Sequence, residues 1–594
     1  MASNRRVLGR TLSSEAVKRK GISGAASRLG SSPQSPSRTQ VVTTSSFSEI
    51  AHQKRNAVVK ILASIIRFDW LQPFKHAGEK QAVGSGFFIN KSGLIVTNAH
   101  VVGDAVRLWI TVPSEGERRY AAEVLGICFD SDLAVLRAKD APVREVLEIG
   151  DSNSVRFGEE VMTLGYPLGM NSLKLTVGII SGRQGSLFQT DAPLNPGNSG
   201  GPMLSKSGKV IGINVAIVVD SQNVGFAIPS YVFRILSSEL LAKNPVIVSQ
   251  PTLGADFHRC SDEMMTFMDS ERPGVYVVEC VKGFPLHTAG IRSGDLIHVF
   301  NGYPLDNFGE TEVPWSQSRA SLGDLVALLT YRDTPSVQYS RKGESFTTTL
   351  HLEDPERKGR PHQPAVRHWY PSFEKIDYEV AFGLVFMNLT MNHIELLGKQ
   401  DISSSVLSKL LPIAVTSVKQ TKPHLILSSI LTGSTMDRVT ILDGGALIEE
   451  VNGTKVNDLA SLRQAMLKPV QKKDGTYFFT IKSKGNEFVA MPLIDAILED
   501  LELSSMYSFR QSTIIQQLVE KLPDQVQKEI ESKSQQLAQM MEALQGLQFV
   551  GSESNIDLSQ SDADLLNEIA AESSASAQSD DQINIPIASS SQQK

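Results

Sequence analysis

The stretch "QTDAPLNPGNSGGPM" occupies residues 189–203, and its serine, Ser199, is preceded by Gly197 and Asn198 and followed by two glycines. The plain reading is a tight turn, because Asn-Pro-Gly steps mark turns whatever the serine does. The chemical reading is that Ser199 is a nucleophile. A serine hydroxyl attacks poorly near neutral pH unless an imidazole takes its proton, and that imidazole needs a carboxylate on its other nitrogen. Both groups stand upstream: His100 in "GLIVTNAHVV" and Asp132 in "DSDLAVLRA".

Taken singly, each residue has a bland alternative. His100 beside apolar residues reads as a core histidine, and Asp132 as a turn residue with Asp130 as its rival. Their joint order, His then Asp then Ser over about a hundred residues, is that of chymotrypsin-type sites rather than subtilisin or α/β-hydrolase ones. The glycines then gain a purpose. A developing oxyanion needs unobstructed backbone N–H groups, and those of Gly197 and Ser199 are placed to supply them.

From 55 to 235 the chain is a series of short β-rich runs such as "AVVKIL", "GSGFFI", "VRLWITV", "TVGIIS" and "VGFAIPS", broken by Gly, Asn and Asp. Many short strands with regular turn signals predict an all-β sandwich or barrel. Two segments follow, 252–353 and 372–495. "SGDLIHVFNGYPLDN" in the first parallels "DGGALIEEVNGTKVND" in the second, so they read as two copies of one module. The Pro-rich, basic stretch 354–371 reads as a linker. Over 511–549 the apolar positions Val526, Ile530, Leu537, Met540, Leu544 and Leu547, with Lys533 among them, predict a helix. It either forms a coiled coil or lies on its own protein.

The net charge is −6, which gives no general nucleic-acid or membrane footprint. The average hides an asymmetry. Residues 1–46 carry eight Lys/Arg against Glu15, and 551–594 carry eight Asp/Glu against Lys594, so both ends read as disordered tails. Three widely spaced cysteines argue against a disulfide framework and for a reducing compartment. The expectation is an intracellular, non-secreted protein of the cytosol, nucleus or an organelle. The Arg/Ser-rich start would then be either a transit peptide or a basic tail. No metal or cofactor is expected, and no apolar run has the length of a membrane span.

The runs "GSGFFI", "IVTNAHVV", "SDLAVLR", "GYPLG", "TVGIISG", "QTDAPLNPGNSGGPM", "GKVIGIN" and "VGFAIP" together resemble the HtrA/Deg family of serine proteases. The resemblance is dense over 55–235. It implies a trypsin-like double β-barrel over 47–245, the triad on His100, Asp132 and Ser199, and two α+β modules that look like PDZ domains, the second divergent and plant-type. It further implies an ATP-independent endoprotease of misfolded or damaged proteins. The implied assembly is a homotrimer, with Phe47, Trp70 and Phe74 as candidate aromatic contacts.

For the primary pocket the resemblance points to Ala192, Pro193, Leu194 and Ile217, with Asp191 structural, so a small apolar pocket is expected. The modules would capture peptide C-termini by strand addition, at Leu253 and Gly254 in the first and at Phe382 and Gly383 in the second. One departure stands out. The segment 183–188 is shorter than the sensing loop the family carries there, and it is expected not to reach a module. Two other classes, a holdase and a PDZ scaffold with a relic protease, compete with the endoprotease reading.

Overall fold

The computed structural model describes residues 46–75, 78–215, 224–242, 247–400 and 402–553, with backbone alone from 540 onward. The expectations for the two tails, and Ile217 of the pocket, lie outside the described residues.

Helix α1 (Phe47–Lys54) leads into the first barrel. Its strands are β1 (Val58–Ile65), β2 (Lys80–Phe88), β3 (Leu94–Thr97), β4 (Ala105–Thr111), β5 (Tyr120–Cys128) and β6 (Leu133–Arg137), closed in the order β1-β2-β3-β6-β5-β4. The short helix α2 (Ala99–Val102) follows β3. The second barrel comprises β7 (Glu160–Gly165), β8 (Lys174–Gln184), β9 (Leu187–Thr190), β10 (Pro202–Leu204), β11 (Val210–Val215) and β12 (Gly225–Pro229), also closed, and α3 (Ser230–Leu240) caps it. This is the expected chymotrypsin-like double barrel. The barrel interiors are apolar, with Ile61, Ile95, Ile110 and Leu136 packed in the first and Val161, Ile180, Phe188 and Met203 in the second. The barrels are tied through a buried charge. Lys60 on β1 donates to the carbonyl of Gly169 at 2.6 Å and to Asn171 Oδ1 at 3.1 Å, which satisfies an ammonium that burial would otherwise penalise.

The first module contains β13 (Ala255–His258), α4 (Asp262–Phe267), β14 (Val275–Cys280), α5 (Pro285–Thr288), β15 (Leu296–Phe300) and the two-residue strands β16 (Tyr303–Pro304), β17 (Glu310–Thr311) and β18 (Ala320–Ser321). It continues with α6 (Leu322–Val326), β19 (Ser336–Arg341) and β20 (Glu344–Thr349). Its main sheet runs β13-β14-β15-β19-β20, with β13 at the edge.

The second module opens with β21 (Tyr378–Ala381), β22 (Leu384–Asn388), α7 (Met391–Leu397), α8 (Ser404–Val415), α9 (Ser417–Gln420), β23 (Leu425–Ile430), α10 (Thr435–Val439) and β24 (Leu447–Val451). After them come β25 (Thr454–Lys455), α11 (Leu459–Met466), β26 (Val470–Gln471), β27 (Tyr477–Ser483) and β28 (Phe488–Pro492). The chain closes with α12 (Leu493–Tyr507), α13 (Thr513–Glu520) and α14 (Asp524–Glu553).

Three sequence expectations need correction here. The second module does not end at 495: Leu493 and Ile497 of α12, Ile515 and Leu518 of α13, and Ile530 of α14 are buried in its core with Phe382 and Phe479. The 511–549 helix thus begins on its own protein, because its apolar face has that core to cover. The stretch 354–371 is no free linker. Val366 is buried against the second module, Arg367 pairs with Glu374, and Tyr370 stacks on Phe129 of the first barrel with ring centroids 3.5 Å apart. Trp70 and Phe74, expected at a subunit contact, pack within the chain. Trp70 lies edge-on to the buried His393 at 5.3 Å, and Phe74 sits 5.4 Å from Phe509. Phe47 packs against the core shared by the barrels.

Candidate active site

His100 is placed by its neighbours. Ala99, Val101 and Val102 are buried while His100 faces out, so three apolar anchors fix one exposed imidazole. Room for this helix comes from Gly84 on β2, where a β-carbon would meet the methyl groups of Val101. Asp132 approaches from the turn before β6 with φ 51°, a left-handed conformation that costs a residue bearing Cβ on the order of 1 kcal/mol. Its main chain is held by an N–H donated to the Phe129 carbonyl at 3.1 Å and a carbonyl accepting from Asn98 Nδ2 at 3.0 Å. One carboxylate oxygen accepts the backbone N–H of His100 at 2.9 Å, and the other lies 2.8 Å from His100 Nδ1. A carboxylate only accepts, so Nδ1 carries the proton and Nε2 is left as the base. The rival, Asp130, is engaged elsewhere: it accepts the backbone N–H of Gln250 at 2.9 Å.

Ser199 lies in the second barrel's turn before β10 and is 5 % exposed. A β-carbon at Gly200 would collide with the Ser85 carbonyl and the Thr97 hydroxyl, and would come within 3.0 Å of the Asn98 nitrogen. Gly200 is therefore what lets the nucleophile turn reach the residues that precede His100. Gly197, with φ 98°, fits where a side chain would strike the Tyr166 carbonyl. The carbonyl of Pro196 accepts the N–H of Leu168 at 2.6 Å. In a trans peptide that bond turns the Gly197 N–H to the opposite side.

Ser85 is the residue that sequence reasoning missed. Fully buried on β2, it donates its backbone N–H to the Ser199 carbonyl at 2.8 Å and its hydroxyl to the Gly197 carbonyl at 2.6 Å. The same hydroxyl accepts the Tyr166 N–H at 2.9 Å. The motif "GSGFFI" carried it, but nothing local says that its partners lie in the other barrel.

Around the pocket, Asp191 Oδ1 accepts the Ile179 N–H at 2.7 Å, which agrees with a structural role. Leu194 leans over Gly225 on β12, where a β-carbon would sit 2.9 Å from its Cδ1, so this wall is apolar and close. Contrary to expectation, the short segment 183–188 does reach the first module. A β-carbon at Gly185 would lie 3.5 Å from Asp324 Oδ1 on α6, and Leu187 packs on the same core as Trp315 and Leu328.

The two modules differ at their expected peptide sites. Gly254 (φ 70°) accepts the Val281 N–H at 2.8 Å and is covered by Phe284, which precedes α5. Gly383 (φ 77°) accepts the Leu431 N–H at 2.8 Å and is covered by Ser434, which precedes α10. Leu253–Gly254 and Phe382–Gly383 are therefore equivalent turns. In the first module the turn borders an open groove of about 410 Å³ between β13 and α6, lined by Leu253, Phe257, Leu322 and Val326.

In the second module that groove is filled. β21 pairs antiparallel with β22, Ala381 opposite Leu384, along the edge a peptide would take. From α11, the groove helix, Arg463 grips this strand through Asp377 at 2.8 Å and Glu379 at 2.7 Å. The Phe382 N–H, expected to hold a terminal carboxylate, donates to Asp500 Oδ1 of α12 at 2.8 Å, and Phe382 itself is fully buried. Phe382 and Gly383, expected to bind a peptide, are thus closed off by the chain's own β21 and α12.

A family model described as a trypsin-like peptidase domain matches residues 84–213. A probable periplasmic serine endoprotease, DegP-like, of Marinomonas sp. is 31% identical over 346 residues, 55% of this chain and 69% of that protein. Its namesake in Chlamydia trachomatis is 35% identical over 237 residues, 38% of this chain and 46% of that protein, so the chain spans about half of the chlamydial relative. Among solved structures, the HtrA-type protease AlgW with tripeptide is 24% identical over 52% of this chain and 96% of that one, with a TM-score of 0.42. Two closed six-stranded barrels with a trypsin-like peptidase domain place the chain among the trypsin-like serine peptidases. Within that class it belongs to the HtrA/DegP-like family of serine proteases.

Proposed function

We propose that this chain is an ATP-independent serine endoprotease that cuts unfolded or damaged protein chains. The observation that carries the reading is the Asp132–His100 pair, with Nδ1 bonded to the carboxylate at 2.8 Å and Nε2 left to act as base beside the Ser199 turn. Ser199 Oγ attacks the scissile carbonyl while His100 Nε2 takes its proton. Asp132 stabilises the imidazolium, and the N–H groups of Gly197 and Ser199 receive the oxyanion. The proton then passes to the leaving amine, and water releases the acyl group by the reverse steps. Leu194 over Gly225 supports a small apolar pocket for Val, Ala, Ile, Leu, Thr or Met, with loose selectivity because each methylene contributes only about 1 kcal/mol.

In this reading the open groove at Leu253–Gly254 captures peptide C-termini in the first module. A trimer, which the family resemblance implies, would use surfaces other than Trp70 and Phe74. Among the described residues no group of three or more His, Cys, Asp or Glu forms a metal site, and no helix is long and apolar enough to cross a membrane. For the compartment, the relatives named periplasmic favour a secreted or periplasmic protein and lend no support to the expected intracellular one. The unpaired cysteines remain the one feature on the intracellular side. The holdase and scaffold readings draw on no specific feature of the site.

The test is digestion of unfolded casein by the full chain, by Ser199→Ala and by His100→Ala. Both variants are expected to be inactive to the same extent, because the two residues act as one unit. Cutting by Ser199→Ala beyond a trace of the parent rate would refute the proposal.

A further inference from the structure

Away from the active site, a cavity of about 490 Å³ opens where three parts of the chain meet. Its walls come from the end of α3, from Tyr331 and Arg332 of the first module, and from the 357–374 stretch. The volume is that of a small-molecule pocket. Two features of the wall call for an occupant. Arg332, Arg357 and Arg360 all line it and form no ion pair among the described residues; Arg332 bonds the Tyr331 hydroxyl and Arg357 donates to Gln363 Oε1 at 3.0 Å. Glu239 of α3, near Arg332, also lines it; it is only 4 % exposed, and its Oε1 has no hydrogen-bond partner among the described residues. Burial pushes its carboxyl above the usual range, despite the nearby Arg332. An unpaired buried carboxyl oxygen costs roughly 1–3 kcal/mol unless a donor reaches it.

We propose that this cavity is an effector site for a small organic phosphate. The phosphate is held by Arg357 and Arg360, and a hydroxyl at the other end of the ligand donates to Glu239. Guanidinium groups match phosphate oxygens bidentately, which surface lysines do not. A free phosphate ion satisfies only the arginine end. A phosphorylated sugar or nucleoside satisfies both and lies its ring beside Tyr331 and Trp369. One residue of the cavity wall packs on the turn that leads to the proposed catalytic carboxylate. Tyr370, in its wall, stacks on Phe129, whose carbonyl accepts the Asp132 N–H at 3.1 Å. That stack is the route by which we infer occupancy acts on the turn that holds Asp132. The binding claim stands apart from the peptidase proposal, whereas the effect on cleavage rests on it.

The experiment is calorimetric titration of the full chain with inorganic phosphate, ribose 5-phosphate and adenosine monophosphate, followed by peptide cleavage with each at saturation. The expected order places both organic phosphates at least tenfold tighter than inorganic phosphate. Arg357→Ala/Arg360→Ala, both exposed positions, is expected to weaken all three by tenfold or more. Glu239→Leu is expected to weaken the organic phosphates alone. Circular dichroism and unliganded cleavage equal to the parent's certify the folding of the arginine variant. Cleavage by the parent is expected to change at least threefold on saturation with ribose 5-phosphate. The site is overturned if neither organic phosphate binds at millimolar concentration, or if binding survives the double arginine substitution unchanged. Binding that leaves cleavage unaltered in an active enzyme overturns the effector role.

Discussion

The backbone N–H of Ser85 reaches the carbonyl oxygen of Ser199 at 2.8 Å, so a strand of one barrel holds the proposed nucleophile turn of the other. The Ser85 hydroxyl joins in by donating to Gly197 and accepting from Tyr166. Ser85→Ala removes the hydroxyl and leaves two buried backbone groups unpaired, at about 1–3 kcal/mol. The expected result is a lower Tm together with a kcat reduced tenfold or more, while KM moves little. A variant with the parent's kcat would show that Ser85 serves folding alone.

Leu168 is 69 % exposed and sits at φ 54°, yet its N–H is the group that holds the Pro196 carbonyl. Proline at this position has no N–H and fixes φ near −65°. Leu168→Pro is therefore expected to release the Gly197 peptide and cut kcat/KM by a factor of at least ten. Leu168→Gly keeps the donor, suits the left-handed backbone, and is expected to stay within threefold of the parent. Peptide hydrolysis by the two variants, side by side, checks the argument.

The contact between the 183–188 segment and the first module changes an expectation about truncation. Leu187 opens β9, which runs directly into Asp191 and Leu194, and Trp315 and Leu328 pack on the same core as Leu187. A chain ending near residue 250 loses that cover. It is expected to cleave a short unstructured peptide at least tenfold more slowly than the full chain in the same oligomeric state. A rate within threefold would mean the contact is passive packing.

Burial raises the Asp500 carboxyl to about 6, against hydrogen bonds from Phe382 and Gln511 that favour the ionised form. The folded value lies above the unfolded one of about 3.9. The native state therefore binds the proton more tightly between these limits, and the stability contributed by Asp500 falls as pH rises from about 4 to 6. Asp500→Asn keeps an acceptor for the Phe382 N–H and abolishes the titration. The variant is expected to gain on the order of 1–3 kcal/mol relative to the parent at pH 8, and little at pH 4. Denaturant unfolding at the two pH values measures the difference. An equal shift at both would exclude the linkage.

The barrels were legible because alternating apolar runs and glycine turns are local signals. His100, Asp132 and Ser199 were legible because each sits in a short motif. Ser85 was not, because its partners lie 81 to 114 positions further along the chain, at Tyr166, Gly197 and Ser199, and no spacing rule links them. Asp500 escaped for a different reason. The expected second module ended at 495, inside the first turn of α12, so the carboxylate that takes the Phe382 N–H was assigned to no domain. Trp70 and Phe74 were legible as apolar anchors, but a sequence does not say whether the surface they seek belongs to the same chain or another.

The strand in the second module's groove also fixes a number, the chain's valency. β21 is joined to β22 through a turn of only Phe382 and Gly383, so it meets that edge as an intramolecular partner. Even flexible linkers present their cargo at millimolar effective concentration, and a two-residue tether that already sits in register presents it higher still. A free peptide at cellular levels competes against that and loses. Among the described residues each chain then offers one open socket, the groove between β13 and α6. Under the proposed reading, holding one substrate in two such grooves requires bringing chains together, because the second copy of the module within one chain does not supply the other groove.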